Sequence, residues 1–195
     1  RTHRDYTKEL GLSQGIWCMF TTHEGNVYGE QFGAIHQELV EYMRAAARTY
    51  SREKENNAGR KKYKAHKARL DAKLETYVNQ EINRMIAVEK PKICYLPKLP
   101  KTGSAGYNKE INYSAGVWKK GFIRERLEQK CREHSIELIE VFGKAISTEC
   151  SSCGEMGKYS KERFRCGCCG YETDKKINAA QNAINRGQTE YIFEK

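Results

Sequence analysis

Proline is scarce: Pro91, Pro97 and Pro100 are the only three in 195 residues. All three fall in one stretch, "PKICYLPKLPKTGSAGYNK", which predicts a short apolar strand and then a Pro/Gly/Ser-rich loop, not a helix. Also lacking is any apolar run long enough to span a bilayer, or a signal-peptide pattern at the start. Membrane and secreted classes are therefore not indicated, and the cytoplasm is the default expectation. No internal repeat or low-complexity segment is apparent, which argues against a repeat architecture. The first residue is Arg1 rather than Met, as expected of part of a longer or processed product.

Acidic residues are the minority charge. Thirty-five Lys and Arg face 25 Asp and Glu, a formal net charge of +10. This balance favours a polyanionic partner, most simply nucleic acid, because each phosphate neutralised releases counterions. Hydrophobic residues make up 38% and charged residues 31%, enough for a modest core. The length fits one domain, or one domain with a small metal module.

Cysteine is abundant by contrast, with eight residues. Cys150 and Cys153, then Cys166 and Cys169, form two C-x2-C pairs separated by twelve residues. In a reducing compartment this pattern indicates metal, since each knuckle supplies two thiolates from one tight turn. The chemistry is that of a structural four-cysteine zinc ribbon, with no ligand position left open for catalysis. Gly154 and Gly170 follow the pairs where the chain must turn back, and Cys168 is the competing ligand that the doubled spacing disfavours. Cys18, Cys94 and Cys131, isolated in apolar or helical stretches, read as small buried hydrophobes.

Elsewhere, residues 6–32 predict two strands and a turn, with Ile16, Cys18 and Phe20 alternating and the turn at 23–26. A helix is expected over 37–47, interrupted by "NNAG" at 56–59. A long helix over 60–88 carries Tyr63, Leu70, Leu74, Tyr77, Glu81 and Met85 on one stripe and Lys62, His66, Arg69 and Lys73 on its flank. That flank suits a phosphate backbone and suits a solvated face equally. A helix over 116–134 places Trp118, Phe122 and Cys131 at helical spacing, with the two aromatics favoured as core. A strand over 136–142 follows, and a last helix begins near Lys175, buries Ile177, Ala180 and Ile184, and stops at Gly187. The class is α/β with an inserted zinc module.

The arrangement "ISTECSSCG…FRCGCCGYETDKKINAAQNAI" resembles the C-terminal part of the transposon-encoded TnpB proteins and the related small type V CRISPR effectors. "ELGLSQGIWCMF" looks like that family's first RuvC strand, and "INYSAGVWKKGFIRERLEQKC" like the helix before its ribbon. The resemblance implies a RuvC-like (RNase H) fold with an inserted zinc ribbon. It divides the chain into a RuvC-like part at 1–146, the ribbon at 147–172, and the last helix and tail at 173–195. The family's guide- and target-recognition half is not within these residues, so it is expected on the same product or on a partner chain.

The resemblance also implies three carboxylates holding catalytic magnesium, an ion that demands hard oxygen ligands. Matched residue by residue, Glu9 in "ELG" takes the first position, Pro97 the second and Lys176 the third. Glu9 is an altered ligand and the other two are lost. A lysine at a helix start also opposes the helix dipole and repels a metal ion. Asp174 suits an N-cap of the last helix. The implied function is guide-RNA-directed binding of target DNA without cleavage, with structural zinc and no productive magnesium, serving repression or recruitment in a prokaryotic, nucleoid-associated setting. Two alternatives stay open. One is an active nuclease with displaced ligands drawn from Glu9, Asp174, Glu89 and Glu110; the other is a structural subunit completing an effector with a partner chain.

Overall fold

A computed structural model of the chain describes residues 5–50, 58–98 and 117–190. The expected loop after Lys98, with Glu110 in it, and Asn56–Asn57 lie outside these described residues. The elements run β1 (Lys8–Gln14), β2 (Phe20–Thr22), β3 (Val27–Tyr28), α1 (Phe32–Tyr50), α2 (Ala58–Glu89), β4 (Pro91–Lys98), α3 (Lys120–Glu133), β5 (Glu137–Phe142), β6 (Lys158–Ser160), β7 (Arg163–Arg165), β8 (Glu172–Asp174) and α4 (Lys175–Glu190).

Five strands form one sheet in the order β3-β2-β1-β4-β5. The first three pair antiparallel as a meander, while β1–β4 and β4–β5 are parallel. Parallel neighbours need crossovers, and α1 with α2, then α3, supply them. Both faces of the central strands are covered, which is why β4 reads as a nearly continuous apolar run. Cys94 and Leu96 point to a core shared with Leu74, Val78, Ile82 and Met85 of α2 and Ile123, Leu127 and Cys131 of α3. Ile93 and Tyr95, one residue out of phase, join Val141 of β5 and Ala179, Ala183 and Ile184 of α4 on the other side.

The helix α4 lies close to the sheet because small residues meet there. A Cβ on Gly11 of β1 would fall 2.1 Å from the Ala180 carbonyl oxygen. One on Gly187 would fall 2.1 Å from Tyr95 Cδ1. Gly187 therefore does not stop the helix as its sequence context suggests; α4 runs on to Glu190, and the glycine admits the tyrosine ring.

Two further expectations change. Ile16 and Cys18 do not extend a strand: residues 15–19 form a loop, closed by the Gly15 N–H donating to the Met19 carbonyl at 3.2 Å, and the meander has three strands rather than two. The small sheet carries on past the expected boundary at 172. Its third strand, β8, continues to Asp174 and passes directly into α4, so the expected boundary cuts a strand. The small antiparallel sheet β6-β7-β8 closes over Phe164, which is fully buried against Cys150, Cys166 and Tyr171. Cys18, Cys94 and Cys131 are buried, and Trp118 and Phe122 pack against the larger core.

Candidate functional site

Cys150, Cys153, Cys166 and Cys169 bring their sulfur atoms within 4.8 Å of one another. The Cys150–Cys169 and Cys153–Cys166 Sγ separations are 3.7 and 3.6 Å. These are far too long for disulfides at about 2.05 Å. A tetrahedron with metal–sulfur bonds of about 2.3 Å has edges of about 3.8 Å, so the four thiols fit a zinc ion in size and in chemistry. Gly154 and Gly170, at φ +80° and +74°, provide the left-handed turns after each pair. Cys168 is exposed and stands outside the cluster. Zinc bound here would act as a staple, since all four positions are protein thiols.

The cluster is tied to the large sheet through α4, by residues whose role the sequence reading missed. Asn178, Asn182 and Asn185 recur on one face of the helix. The Asn178 side chain accepts the Ser151 N–H at 3.0 Å and donates to the Glu149 carbonyl at 2.7 Å. Asn182 donates to the carbonyls of Ile146 and Glu149 at 2.9 and 2.7 Å, and Asn185 to that of Ser151 at 2.9 Å. Arg186 completes the clamp on the Lys144 carbonyl at 3.0 Å and on the Glu149 carboxylate. The signal was available: amides spaced i, i+4 and i+7 along an otherwise alanine-rich face have no reason to be buried unless they hold backbone.

The three positions matched to metal ligands do not all meet. Glu9 accepts hydrogen bonds from the Tyr95 hydroxyl at 3.0 Å and from Gln188 at 2.9 Å. Burial, and then this bond to Glu9, push the tyrosine pKa up to about 12. Gln188 lies in the last turn of α4 and Lys176 in the first, so the helix rise sets them about 18 Å apart. Glu9 is therefore at the wrong end of β1. Its sequence neighbourhood suggested the position, but strand register decides it. Glu9 pairs with Ile93 and Gly11 with Tyr95, and the same register carried two residues onward sets Ser13 level with Pro97. Across the other edge Ser13 pairs with Thr21. Thr21, Cys18, Asp174 and Lys176 line one open cavity. Lys176 stands in that cavity at the start of α4, whereas Pro97 lines a separate cavity with Gln14, Lys120 and Glu140.

Lys176 is held in place there. Its ammonium is 3.6 Å from Glu162. Burial opposes its charge, but Cys18, Glu162 and Asp174 outweigh burial and keep its pKa above the ordinary lysine value. Asp174 caps the helix, its Oδ1 accepting the Lys176 N–H at 2.7 Å. Glu89, a candidate substitute ligand, is buried and already engaged: Lys8 ion-pairs with it, Tyr28 donates at 2.7 Å and Asn26 at 2.9 Å.

On α2, Lys62, His66, Arg69 and Lys73 all lie exposed on the outer flank. Lys73 is paired with Glu38 of α1 at 2.5 Å, and His66 packs on the Tyr42 ring with centroids 4.3 Å apart. Part of that flank is therefore committed to the α1–α2 contact.

Residues 121–183 match the family model described as Cas12f1-like, TNB domain. A cryo-EM structure of a Cas12f1–sgRNA–target DNA complex is similar over 90% of this chain and 49% of that one, with a TM-score of 0.58 and 15% identity. A CRISPR–Cas12f ternary complex is similar over 94% and 40%, at 0.58 and 17%. Alicyclobacillus acidoterrestris C2c1 in complex with single-guide RNA is similar over 81% and 20%, at 0.56 and 12%. At these identities the structural likeness is one of fold, and the chain spans half or less of each of those proteins. No curated protein sequence matches. The fold is a mixed α/β sheet similar to that of Cas12f effectors, and the chain carries a four-cysteine cluster. The chain is thus similar to the Cas12f1-like family over residues 121–183 and to Cas12f effectors in fold.

Proposed function

We propose that the chain is the RuvC-like (RNase H) and zinc-ribbon part of a guide-RNA-directed DNA-binding protein that holds its target without cutting it. One observation carries the reading: Lys176 opens α4 where the resemblance expects a carboxylate, Pro97 stands at the second expected position, and Ser13 is the β1 residue that the β1–β4 register, extended past Gly11 and Tyr95, would set level with Pro97. Two-metal hydrolysis needs oxygen ligands that replace part of the magnesium hydration shell. A hydroxyl, an imino ring and an ammonium do not replace them. Supporting the nucleic-acid part, one structural relative is a Cas12f1 complex with sgRNA and target DNA, and the formal charge is +10.

In this reading the division at 146 and about 174 separates the nuclease-like sheet, the ribbon and the closing helix. The exposed α2 residues Lys62, His66 and Arg69 contact backbone phosphates, and guide pairing selects the sequence. The missing recognition half belongs to the same product or a partner, and occupancy of the site represses or recruits. The test is DNA binding and cleavage by the full-length protein loaded with its copurifying RNA. Binding of matched duplex with both strands intact in Mg2+ and in Mn2+ is the expected result. Guide-dependent cutting would overturn the reading in favour of a working nuclease.

A further inference from the structure

The cavity beside Pro97 belongs to the face of the sheet that α4 does not cover. Side chains alternate along a strand, so Gln14, Leu96 and Lys98 follow Leu10, Leu12 and Cys94 onto the face packed by α2 and α3. Glu140 of β5 pairs with Leu96 and shares that face. These residues enclose about 160 Å³ together with Lys120, Gly121 and Arg124 from the first two turns of α3. Small-molecule sites usually occupy about 300–1,000 Å³, so this one is sized for a small ion.

We infer that this cavity is a binding site for one free tetrahedral oxyanion of the phosphate class. Lys98, Lys120 and Arg124 meet the single carboxylate of Glu140, leaving two positive charges in excess, the complement of a hydrogen phosphate dianion. Glu140 holds the Arg124 fork in place at 2.5 and 2.8 Å, and this pairing uses two of the five guanidinium N–H donors. The start of α3 adds backbone donors. Its N-cap, Lys119, makes no capping bond with its side chain, which is committed to Asp71 and Glu75 at 2.9 and 2.6 Å, and no acid stands in the first turn. A Cβ on Gly121 would meet nothing within 4 Å, so packing does not demand a glycine there. Its bare backbone lets an anion approach the first N–H groups of the helix. Gln14 supplies one more donor, since its buried Nε2 has no hydrogen-bond partner among the described residues.

The occupant is a free ion, not a strand. Nucleic-acid grooves string cations along the path of a backbone, whereas here Lys98 of β4 and two cations of α3 converge on one small chamber. Glu140 in the wall would repel a second phosphate. A singly charged carboxylate ligand would leave one positive charge unmet, which favours the dianion. The site lies on the opposite face of the sheet from α4 and does not depend on the reading of Lys176.

The test titrates inorganic phosphate into the full-length protein at constant ionic strength, read by calorimetry and by broadening of the phosphorus resonance, with and without its copurifying RNA. Saturable binding of one phosphate per chain is expected, and it should persist when the RNA is present. Replacing both Lys98→Gln and Lys120→Gln should weaken it about 10-fold or more, through loss of two charge-assisted contacts. Glu140→Gln should tighten it by removing the one opposing charge. Gly121→Ala separates binding from folding: it should raise the melting temperature of the phosphate-free protein, because alanine favours a helix, yet weaken phosphate by filling the approach. Absence of saturable binding, or equal affinity in the wild type and the double lysine variant, would overturn the proposal. Phosphate binding that disappears when RNA is loaded would assign the cavity to a nucleic-acid backbone and overturn the free-ion site.

Discussion

Asn182 donates from one buried amide to two carbonyl oxygens, those of Ile146 and Glu149, immediately before the first cysteine knuckle. The helix that covers the sheet thereby fixes the chain entering the ribbon. Asn182→Ala should leave both carbonyls without this donor, for a loss of about 1–3 kcal/mol. Asn182→Asp should be worse, because a carboxylate of the same shape faces two carbonyls and cannot donate. Urea unfolding would rank the three proteins. Equal stability of wild type and Asp variant would mean that the amide does not hold the knuckle.

The cluster geometry separates two neighbouring cysteines. Cys166 is buried in the four-thiol group, whereas Cys168 is exposed outside it. Elemental analysis of purified protein should give one zinc per chain. Cys166→Ser should lose most of the metal and open the ribbon to protease, while Cys168→Ser should retain both metal and protection. Iron in place of zinc, or equal metal loss from the two variants, would require a different ligand set.

Buried Glu89 makes a pH prediction with a definite sign. Burial alone would raise its carboxyl, but hydrogen bonds from Lys8, Tyr28 and Asn26 outweigh it and hold the pKa below the ordinary glutamate value of 4.5. A carboxylate depressed on folding adds stability that is complete above its unfolded value and is lost as pH falls through the folded one. Lys8 is raised above 10.5, so its contribution is present at neutral pH and fades only in strong base. Glu89→Gln should thus destabilise by about 1–3 kcal/mol at pH 7. The gap to wild type should narrow once the pH is well below 4.5. A gap that stays constant from pH 7 to pH 3 would show that charge is not what Glu89 contributes.

Local patterns in the sequence carried some of this structure well. Apolar periodicity places the long helix over 60–88, and α2 runs Ala58–Glu89. Cysteine spacing names the four thiols that cluster. What spacing along a chain does not contain is register between strands. "ELG" offers a carboxylate in a plausible strand, yet which residue stands beside Pro97 depends on how β1 and β4 slide against each other. Gly187 misleads for a related reason. A glycine near a helix end reads as a stop, and only the Tyr95 ring against it shows that the missing side chain matters for packing.

The same register determines which substitutions have a chance of giving this fold a cutting site. Restoring Lys176→Asp alone leaves Ser13 and Pro97 without ligands, so no cleavage is expected. Combining Glu9→Asp, Pro97→Glu and Lys176→Asp should also fail, because Glu9 is held by Tyr95 and Gln188 at the far end of α4 from position 176. The set that the β1–β4 register, extended past Gly11 and Tyr95, favours is Ser13→Asp, Pro97→Glu and Lys176→Asp. Replacing Pro97 also returns a backbone N–H where β4 runs beside Val141 of β5. Three carboxylates at one place should bind Mn2+, and calorimetry on the variant should detect this even if turnover stays undetectable. Guide-dependent nicking is the stronger result and should vanish on reverting position 13 to serine. Mn2+ binding by the Glu9-based triple and not by the Ser13-based one would show that β1 pairs in a different register from the one described.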